Sequence, residues 1–535
     1  MKRFFRNIPE IVKATNHKIT YNYVDTVPKF LRKEIDKMKT HPMEIPNIIG
    51  GEKRRSKMFA EQYCPYDHQK VIAKYGIADR EDLEDAIEES MRGGNIWRNI
   101  SDRDKCDIFL KAADLVCGKY RNKLLAATIV GQGKNVYQAE IDAICELADF
   151  LRFNVQYFGE LQNELLISNI TEKNCNYWGH LNGYVGAISP FNFTAIGGNL
   201  MTAPLLMGNP VIWKSSDYSK LSNYLFYKIM CEAGMPPEAV QFVSCEPGLY
   251  MDTITDNRHL GGIVFTGSSN VFDNVIKQTV NNISLYNNYP RIVGETGGHN
   301  YHFIFPDENM DMDLVVERTI RGAFEFAGQK CSATGRVYIP KSLYKEFMDI
   351  FEKKMSELVV GSPEEDFNFM SAVIHRRSYD VCEKVIKDND DYILYGGETD
   401  DSKGYYINPT MIEVKDLNDE KLKREVFGPV LMAYVYDDSR TLDIEMVFRS
   451  CVSVSPYKLT GAIFYEDRRW DELIKRIGSY SVGNFYINDK STGSVVGNQP
   501  FGGFGKSGTN DKAGSKYFLT RFANMIVHKK SYKYV

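Results

Sequence analysis

A regular alternation of apolar, strand-like segments with amphipathic helical segments, between residues 184 and 294, constrains the fold of this 535-residue chain most strongly. Short apolar runs bounded by turn residues are typical of buried strands, whereas apolar side chains spaced three and four residues apart are typical of helices. Strands that alternate with helices form a parallel, doubly wound sheet, which binds ligands at the carboxyl ends of its strands. The pattern predicts strands at 184–188, 210–214, 239–244, 262–266 and 291–294, and helices at 195–207, 219–233 and 269–282.

A second α/β unit is predicted beyond Asn300, because the chain is too long for one ordinary hydrophobic core. Residues 80–161 show helical periodicity and are expected to cover one face of the first sheet, whereas residues 1–50 form a polar lead-in. A ligand site between the two units is expected, since pockets commonly form between domains. The second unit is predicted to contain helices at 311–327, 342–357 and 468–477, and strands at 336–339, 430–435, 461–465 and 483–487.

Cys331 is the candidate nucleophile. It lies in the small and polar run Gly328-Gln-Lys-Cys-Ser332, between a predicted helix and a predicted strand, which indicates an accessible connection. A lone cysteine is more often a buried, inert hydrophobe, and that interpretation holds for this run alone. Glu295 and Asn192, each at the end of an apolar strand, favour chemistry instead. Singly they are a solvated acid and a turn residue; together with Cys331 they supply a thiol, a general base and an oxyanion donor for acyl-level chemistry.

Further motifs follow one another along the chain: Val185–Asn199, Phe265–Ser268, Gly294–Gly298, Gly328–Ser332, Glu425–Val430 and Gly483–Ser494. In this order they resemble the aldehyde dehydrogenase superfamily and, within it, the Δ1-pyrroline-5-carboxylate dehydrogenase family. The similarity runs from about Glu44 to the C-terminus. It implies NAD-dependent oxidation of L-glutamate γ-semialdehyde to L-glutamate in proline catabolism. The thiolate of Cys331 would form a thiohemiacetal and then a thioester, the Asn192 side chain and the Cys331 N–H would hold the oxyanion, and Glu295 would activate water.

The resemblance also implies a division of the α/β fold into domains. A Rossmann-type NAD-binding domain is expected in residues 51–162 and 183–299, and an α/β catalytic domain in residues 300–498. Residues 165–182 themselves suggest strand-like pieces around a polar turn, which would make little sense as core. The resemblance makes residues 163–182 and 515–535 a β-hairpin oligomerisation arm, and therefore implies a homo-oligomer, a dimer or larger.

The cofactor prediction is NAD, although no G-x-G-x-x-G fingerprint opens the sheet. Lys214 and Asp217 follow a predicted strand where the adenosine ribose would lie, and an acid there accepts a ribose hydroxyl and repels the 2′-phosphate of NADP. Gly267 and Ser268 begin a helix whose free N–H groups can hold the pyrophosphate. The resemblance adds the remaining cofactor residues: Ser189, Ser269, Asn270, Val271, Glu425 for the nicotinamide ribose, and Phe427 beside it.

The substrate residues are also implied by the resemblance, because aromatic side chains are more often core and Gly-Ser is more often a turn. Phe193 and Phe501 would flank the aliphatic stem of the aldehyde. Ser332 and the turn with Gly493 and Ser494 would donate hydrogen bonds to its α-carboxylate. Glu146 lies where the family has an acid at the rim of the site, although its spacing alone favours a solvated helix acid.

Composition excludes several classes of partner. The formal charge of −4 gives no basic field for nucleic acid, and no apolar run approaches the length of a membrane span. The ten cysteines show no spacing typical of a metal site, so no metal and a reduced compartment are expected. Residues 1–20 are basic and poor in acids, which fits either a mitochondrial presequence or a basic helix. The resemblance favours the mitochondrial matrix; the cytoplasm is the alternative.

Two alternatives for the function stay open at the level of sequence. One is an NAD-dependent dehydrogenase for another semialdehyde, such as that of aminoadipate or succinate. The other is a catalytically idle scaffold that keeps the fold without the activity. The intact set of Cys331, Glu295 and Asn192 favours an enzyme.

Overall fold

The structure is a computed structural model that describes residues 11–22 and 25–532. The first half of the predicted presequence, residues 1–10, lies outside the described residues. Residues 14–21 run without helix or strand and donate hydrogen bonds to helices of the folded body. This part of the predicted presequence is therefore docked on the protein.

The first sheet is the doubly wound sheet that the alternation predicts. The strand Tyr184–Ile188 lies in its interior and pairs in parallel with Leu260–Thr266 and with Val211–Lys214. The carboxyl ends of these strands therefore meet at one edge of the sheet. In spatial order the seven strands are Arg291–Glu295, Leu260–Thr266, Tyr184–Ile188, Val211–Lys214, Val240–Val243, Asn47–Ile49 and Glu52–Arg54.

The prediction of a separate lead-in over residues 1–50 is wrong at its C-terminal end. Asn47–Ile49 pairs antiparallel with Val240–Val243 and extends the first sheet. Its three side chains are all buried, because the strand lies under the helix Arg80–Asn99. A three-residue strand is too short for a periodicity to show, which is why the sequence did not predict it. A small three-stranded sheet follows, made of Met43–Ile45, Met58–Cys64 and Asp67–Ile77.

Helices cover both faces of the first sheet, and their ends agree with local sequence signals. Asp79 caps the helix Arg80–Asn99 by accepting a hydrogen bond from Asp82 N, while the Asp82 side chain accepts from Asp79 N. The Ser268 side chain caps Ser269–Asn281 by accepting from Val271 N. The remaining helices of this unit are Lys29–Thr40, Asp102–Cys117, Arg121–Gln132, Val136–Glu140, Leu147–Gln162, Thr194–Leu206, Lys220–Ala233 and Pro247–Thr255.

A π-helical turn, Ile141–Glu146, lies within the stretch of helical periodicity that the sequence shows over residues 80–161. It joins Val136–Glu140 to Leu147–Gln162. Such turns are frequent at functional sites because the extra residue redirects side chains. Here the turn ends on Glu146, which lines the cavity described below.

The second unit also contains a seven-stranded sheet, in which one strand pair, Ile393–Tyr395 with Thr410–Glu413, is antiparallel and the other pairs are parallel. Its strands, in spatial order, are Ile393–Tyr395, Thr410–Glu413, Val430–Tyr436, Thr334–Pro340, Asn300–Ile304, Thr460–Phe464 and Asn484–Ile487. The first two and Asn300–Ile304 were not predicted. Its principal helices are Met312–Phe324, Tyr344–Ser356, Arg376–Lys387 and Thr441–Ser453, and the predicted helix at 468–477 is a succession of 3-10, α and π turns.

The predicted arm is a two-stranded antiparallel ribbon of Glu172–His180 and Ala523–Ser531. Leu165, Ile167 and Ile170, which lead into it, are each more than 90% exposed. The predicted start of the arm's second segment, at residue 515, is wrong. The helix Lys516–Thr520 still packs on the body, with Phe518 and Leu519 buried. Within residues 11–22 and 25–532, no helix has the length and apolar character needed to cross a membrane.

Candidate active site

A cavity of about 260 Å³ lies between the two units. Its wall takes residues from the end of the first sheet's edge strand, from the loop before the strand Thr334–Pro340, and from the turn after Asn484–Ile487. The sequence-predicted residues that line it are Phe193, Glu295, Cys331, Ser332, Gly493, Ser494 and Phe501. Residues distant in sequence therefore meet at the predicted place, between the domains.

Cys331 sits on a tightly held loop. Its carbonyl oxygen accepts a hydrogen bond of 2.8 Å from Asn300 Nδ2, and Ala333 O accepts a second from the same amide. Upstream, Phe326 and Ala327 have φ values of 56° and 53°, a left-handed conformation that side chains rarely adopt. Cys331 is only 8% exposed, so the predicted accessible connection is buried and the thiol is reached through the cavity.

The surroundings of Cys331 disfavour the thiolate that the predicted mechanism uses. Burial is the largest cause that raises its pKa well above the usual value, and the carboxyl groups of Glu295, Glu425 and Glu146 raise it further. A nearby positive charge would act in the opposite sense. The sulfur must therefore lose its proton as it reacts.

Glu295 ends the edge strand Arg291–Glu295 and faces the same cavity. Its Oε1 is buried and accepts no hydrogen bond from any described residue. Burial raises the pKa of this carboxyl to about 8, Lys512 opposes the rise and Asp511 adds to it. A carboxyl group with a pKa near working pH is suited to general base catalysis.

Asn192 lies against the loop that carries Cys331. Its Nδ2 donates a hydrogen bond of 3.1 Å to Gln329 O, two residues before the cysteine, and its Oδ1 accepts none from the described residues. An amide nitrogen carries two hydrogens, so one remains for a ligand. The structure thus brings Asn192 to the nucleophile loop, although it does not line the cavity itself.

Charged side chains outside the predicted catalytic and binding set surround the cavity. Glu146 lines it, and burial raises the pKa of this acid to about 8, so the expectation of a solvated helix acid is wrong. Lys330 and Glu325 both line the cavity and form a buried ion pair of 2.8 Å. Lys512 Nζ donates to the carbonyl oxygens of residues 483 and 502 beside Glu295. Only the position of Lys330 next to Cys331 could have drawn attention to it.

The predicted substrate residues occupy one side of the cavity. Ser494 Oγ lies 2.7 Å from the hydroxyl of Tyr486, a partner that the sequence did not suggest. Gly493 has a φ of 93°, a conformation that favours glycine, so the turn presents main-chain groups here. The Phe193 ring is fixed from behind by Lys134, whose Nζ lies 4.0 Å from the ring centroid. The site therefore offers an aromatic wall and polar donors together.

Lys214 and Asp217 lie at the carboxyl end of the strand Val211–Lys214, as predicted. The Asp217 carboxylate is 38% exposed and lies 3.5 Å from Lys220 Nζ. The hydroxyl of Ser189, by contrast, accepts from Trp213 Nε1 at 2.7 Å and donates to Gly197 O at 3.3 Å. The side chain of Ser189 is thus used inside the protein, which leaves only its main chain for a cofactor.

The N-terminus of the helix Ser269–Asn281 lies at the same sheet edge. Gly267 N donates to Glu295 O at 3.1 Å, and a Cβ on Gly267 would lie 2.7 Å from the Phe265 ring. Asn270 and Val271 form the first turn, and Val271 is exposed. Free N–H groups at such a helix end suit a pyrophosphate. The Ser269 hydroxyl is 2.9 Å from that of Tyr457 in the second unit, so it is already engaged.

Glu425 lies over the Gly297-Gly298 turn, beside the nucleophile loop. Its Oε1 accepts a hydrogen bond of 2.8 Å from Gly298 N, and a Cβ on Gly297 would lie 2.0 Å from Oε2. Burial raises its pKa to about 8. Phe427, with a φ of 56°, packs its ring edge-on against Phe191. Glu425 is therefore near Cys331, and neither Glu425 nor Phe427 lines the cavity.

These residues suit NAD chemistry and aldehyde oxidation together, and the chain belongs to the aldehyde dehydrogenase family, whose profile it matches over residues 52–527. It is 43% identical over 508 residues to the mitochondrial Δ1-pyrroline-5-carboxylate dehydrogenase of Homo sapiens, covering 94% of this chain and 89% of that protein. It is 42% identical over 540 residues to the mitochondrial enzyme of that name from Dictyostelium discoideum, covering 99% and 96%.

Solved structures agree with the fold. The Δ-pyrroline-5-carboxylate dehydrogenase of Mycobacterium tuberculosis bound with NAD superposes with a TM-score of 0.93 and 37% identity, covering 99% of this chain and 98% of that one. The 1-pyrroline-5-carboxylate dehydrogenase from Thermus with bound NAD has a TM-score of 0.88 and 26% identity, covering 98% and 100%. The predicted α/β fold of the aldehyde dehydrogenase type is confirmed.

Proposed function

We propose that this protein is an NAD-dependent dehydrogenase that oxidises L-glutamate γ-semialdehyde to L-glutamate. Ring opening of Δ1-pyrroline-5-carboxylate would supply the aldehyde. The observation that carries the proposal is that Cys331 and Glu295 share one cavity with the Gly493-Ser494 turn and two phenylalanine rings. The names and NAD ligand of the relatives support the same substrate and cofactor.

The reaction begins with attack of the Cys331 sulfur on the aldehyde carbon. The thiol proton leaves as the C–S bond forms and passes to solvent through the cavity, so the ionised form of Glu295 remains available for the hydrolysis step. The oxygen of the former carbonyl becomes an oxyanion, stabilised by Asn192 Nδ2 and the Cys331 N–H. These donors act on charge that develops during the reaction, so they accelerate the step rather than only bind substrate.

The thioester is then formed and hydrolysed. NAD, when bound, supplies the acceptor for the hydride that leaves the former aldehyde carbon. Glu295 takes a proton from water, the water oxygen attacks the thioester carbon, and the C–S bond breaks. Glutamate leaves with its new carboxylate, and the sulfur regains a proton.

The other end of the substrate is recognised by the residues around the Gly493-Ser494 turn. Ser494, held by Tyr486, and Ser332 are donors for the α-carboxylate. Phe193 and Phe501 flank the short methylene stem. Glu146 adds a carboxyl group and Lys330, paired with Glu325, adds a positive charge to a cavity whose substrate is a zwitterion.

NAD fits the carboxyl edge of the first sheet. Lys214 and the partly exposed Asp217 would hold the adenosine ribose, and the first turn of Ser269–Asn281 would hold the pyrophosphate. Glu425 would accept from the nicotinamide ribose. The negative charge of Asp217 disfavours the 2′-phosphate of NADP.

We also propose a homo-oligomer in the mitochondrial matrix. The strands Glu172–His180 and Ala523–Ser531 form an isolated ribbon, and the exposed Leu165, Ile167 and Ile170 beside it are suited to burial against another subunit. The matrix location rests on the names of the relatives, and the basic residues before the docked segment 14–21 are consistent with it. Analytical ultracentrifugation of the purified chain tests whether it is a homo-oligomer.

Absorbance of NADH, followed with Δ1-pyrroline-5-carboxylate as substrate, tests the function. Wild type should reduce NAD, whereas Cys331→Ala should not, and glutamate should appear in equal amount. Cys451→Ala is a matched control, since Cys451 is a buried cysteine packed in the second unit. A higher catalytic efficiency with the semialdehyde of aminoadipate or succinate would show that this other semialdehyde is the substrate. The absence of NADH formation with any small aldehyde would indicate an idle scaffold.

A further inference from the structure

Residues 14–21 form what we call the N-terminal strap. They carry no helix or strand and lie against the helices that form one wall of the cavity. Ala14 N donates a hydrogen bond of 2.8 Å to Gln156 Oε1 at the upstream end. Neither composition nor periodicity marks this segment as part of the site.

A buried acid anchors the downstream end of the strap. Glu140, which is 0% exposed, accepts hydrogen bonds from Thr20 N at 2.8 Å, Thr20 Oγ1 at 2.5 Å and Tyr21 N at 2.7 Å. Arg121 pairs with the same carboxylate. A buried carboxylate needs such donors to offset its lost hydration. The hydrogen bonds to Glu140 therefore hold the downstream end of the strap against the folded body.

Asn16 joins the strap to two parts of the cavity wall. Its Nδ2 donates to Asp149 Oδ2 at 2.9 Å and to Val496 O at 2.7 Å. Asp149 is on the helix Leu147–Gln162 next to Phe150, which lines the cavity, and also accepts from His17 N at 2.8 Å. Val496 ends the run from residue 493 to 496, every residue of which lines the cavity.

Ile19 itself lines the cavity, and it is 48% exposed, which places it at the mouth. The Ile19 side chain thus adds apolar surface where an aldehyde enters. Asn16 and Ile19 act differently, because the first holds a turn in position and the second contacts the cavity directly.

We propose that the N-terminal strap sets the affinity of this enzyme for its aldehyde. Asn16 is a positioning residue that holds the run from Gly493 to Val496, and with it Ser494, at the distance required by the α-carboxylate. Ile19 is a specificity-determining wall at the mouth. This inference rests on the proposed function, because it assigns Ser494 to the carboxylate.

Steady-state kinetics of Asn16→Ala test the positioning role. The KM for L-glutamate γ-semialdehyde should rise about tenfold, the effect of losing about one good hydrogen bond to a charged group. The kcat, the KM for NAD and the KM for a short aldehyde without a carboxylate should stay within about twofold, because the Asn16 side chain donates its hydrogen bonds to Asp149 and Val496, away from Cys331. A general loss of structure would change all four quantities and would overturn the proposal.

Ile19→Ala and a matched control complete the experiment. Ile19→Ala should raise the KM for both aldehydes about threefold, as the loss of apolar contact predicts. Val12→Ala, an exposed apolar residue two positions before the strap, should change nothing. If both strap variants keep the wild-type aldehyde KM values and turnover, the role proposed for the strap is refuted and the proposed function is not. Wild-type protein without NADH formation would refute the proposed function, and the strap with it.

Discussion

We expect turnover to rise with pH around the pKa of Glu295, and the Glu295→Gln substitution to remove that rise. The carboxyl is buried in the cavity beside Cys331, and its pKa is raised to about 8. With that value, about 9% of the groups are ionised at pH 7 and about half at pH 8. The kcat should therefore increase about fivefold from pH 7 to pH 8 and level off above about pH 9.

Initial rates of NADH formation at saturating NAD and aldehyde, from pH 6 to 9.5, measure this profile. Glu295→Gln should lower the kcat by about 10²- to 10⁴-fold, the range of general base catalysis, and flatten what remains. Glu146→Gln is the matched control, because Glu146 lines the same cavity and has the same raised pKa of about 8. A rise that persists in Glu295→Gln, or that disappears in Glu146→Gln, would refute the assignment of the base.

Three further substitutions test other parts of the site. Asn192→Ala should lower kcat by about 10²-fold or more, since each oxyanion donor is worth roughly 3 kcal/mol, with the KM for NAD unchanged; an unaltered kcat would exclude this role. Ser494→Ala should raise the KM for the glutamate semialdehyde and leave that of a short neutral aldehyde unchanged, and equal effects on both would contradict carboxylate recognition. Burial raises the Glu146 pKa from 4.5 to about 8, so its protonation stabilises the fold at low pH and this contribution is lost as pH rises through about 8. Glu146→Gln should therefore gain thermal stability over wild type as pH rises from about 5 to 9, and a constant difference in Tm would argue against a buried, titrating Glu146.

The sheet and its ligand edge could be predicted from sequence because buried parallel strands and amphipathic helices leave strong, regular patterns. The strand Tyr184–Ile188 and the helix Ser269–Asn281 agree with prediction within a residue. Asn47–Ile49 could not be found, since three residues carry no period and only pairing with Val240–Val243 makes them a strand. The π turn before Leu147 escaped for a similar reason, because one inserted residue hardly alters the spacing of apolar side chains.

The residues of the candidate site were predictable to different degrees. Cys331 lies on a loop and Glu295 at the end of a strand, both with glycines nearby, and this pattern can be recognised in the sequence. Their protonation was not predictable, because the raised pKa of both groups comes from burial and from acids, most of them distant in sequence. The hydrogen bond that engages the Ser189 hydroxyl was also not predictable, because its donor, Trp213, lies on the adjacent strand of the sheet.

The charged lining was the part that sequence reasoning missed. Lys330 and Glu325 look like ordinary surface residues, yet they form a buried pair at the cavity. Asn16 lies 480 positions from Val496, so no local pattern could connect the N-terminal strap with the substrate turn. Contacts between residues so far apart in sequence form only when the chain folds, so they are seen in the structure and not in the sequence pattern.

Covalent capture of the substrate by Cys331 is most directly tested by intact-protein and peptide mass spectrometry of Glu295→Gln. The protein should be mixed with NAD and Δ1-pyrroline-5-carboxylate and quenched in acid. We expect a mass increase equal to one glutamyl acyl group, located on the peptide that contains Cys331 and lost in hydroxylamine. NADH formation without any adduct, or an adduct on another of the ten cysteines, would contradict a thioester on Cys331.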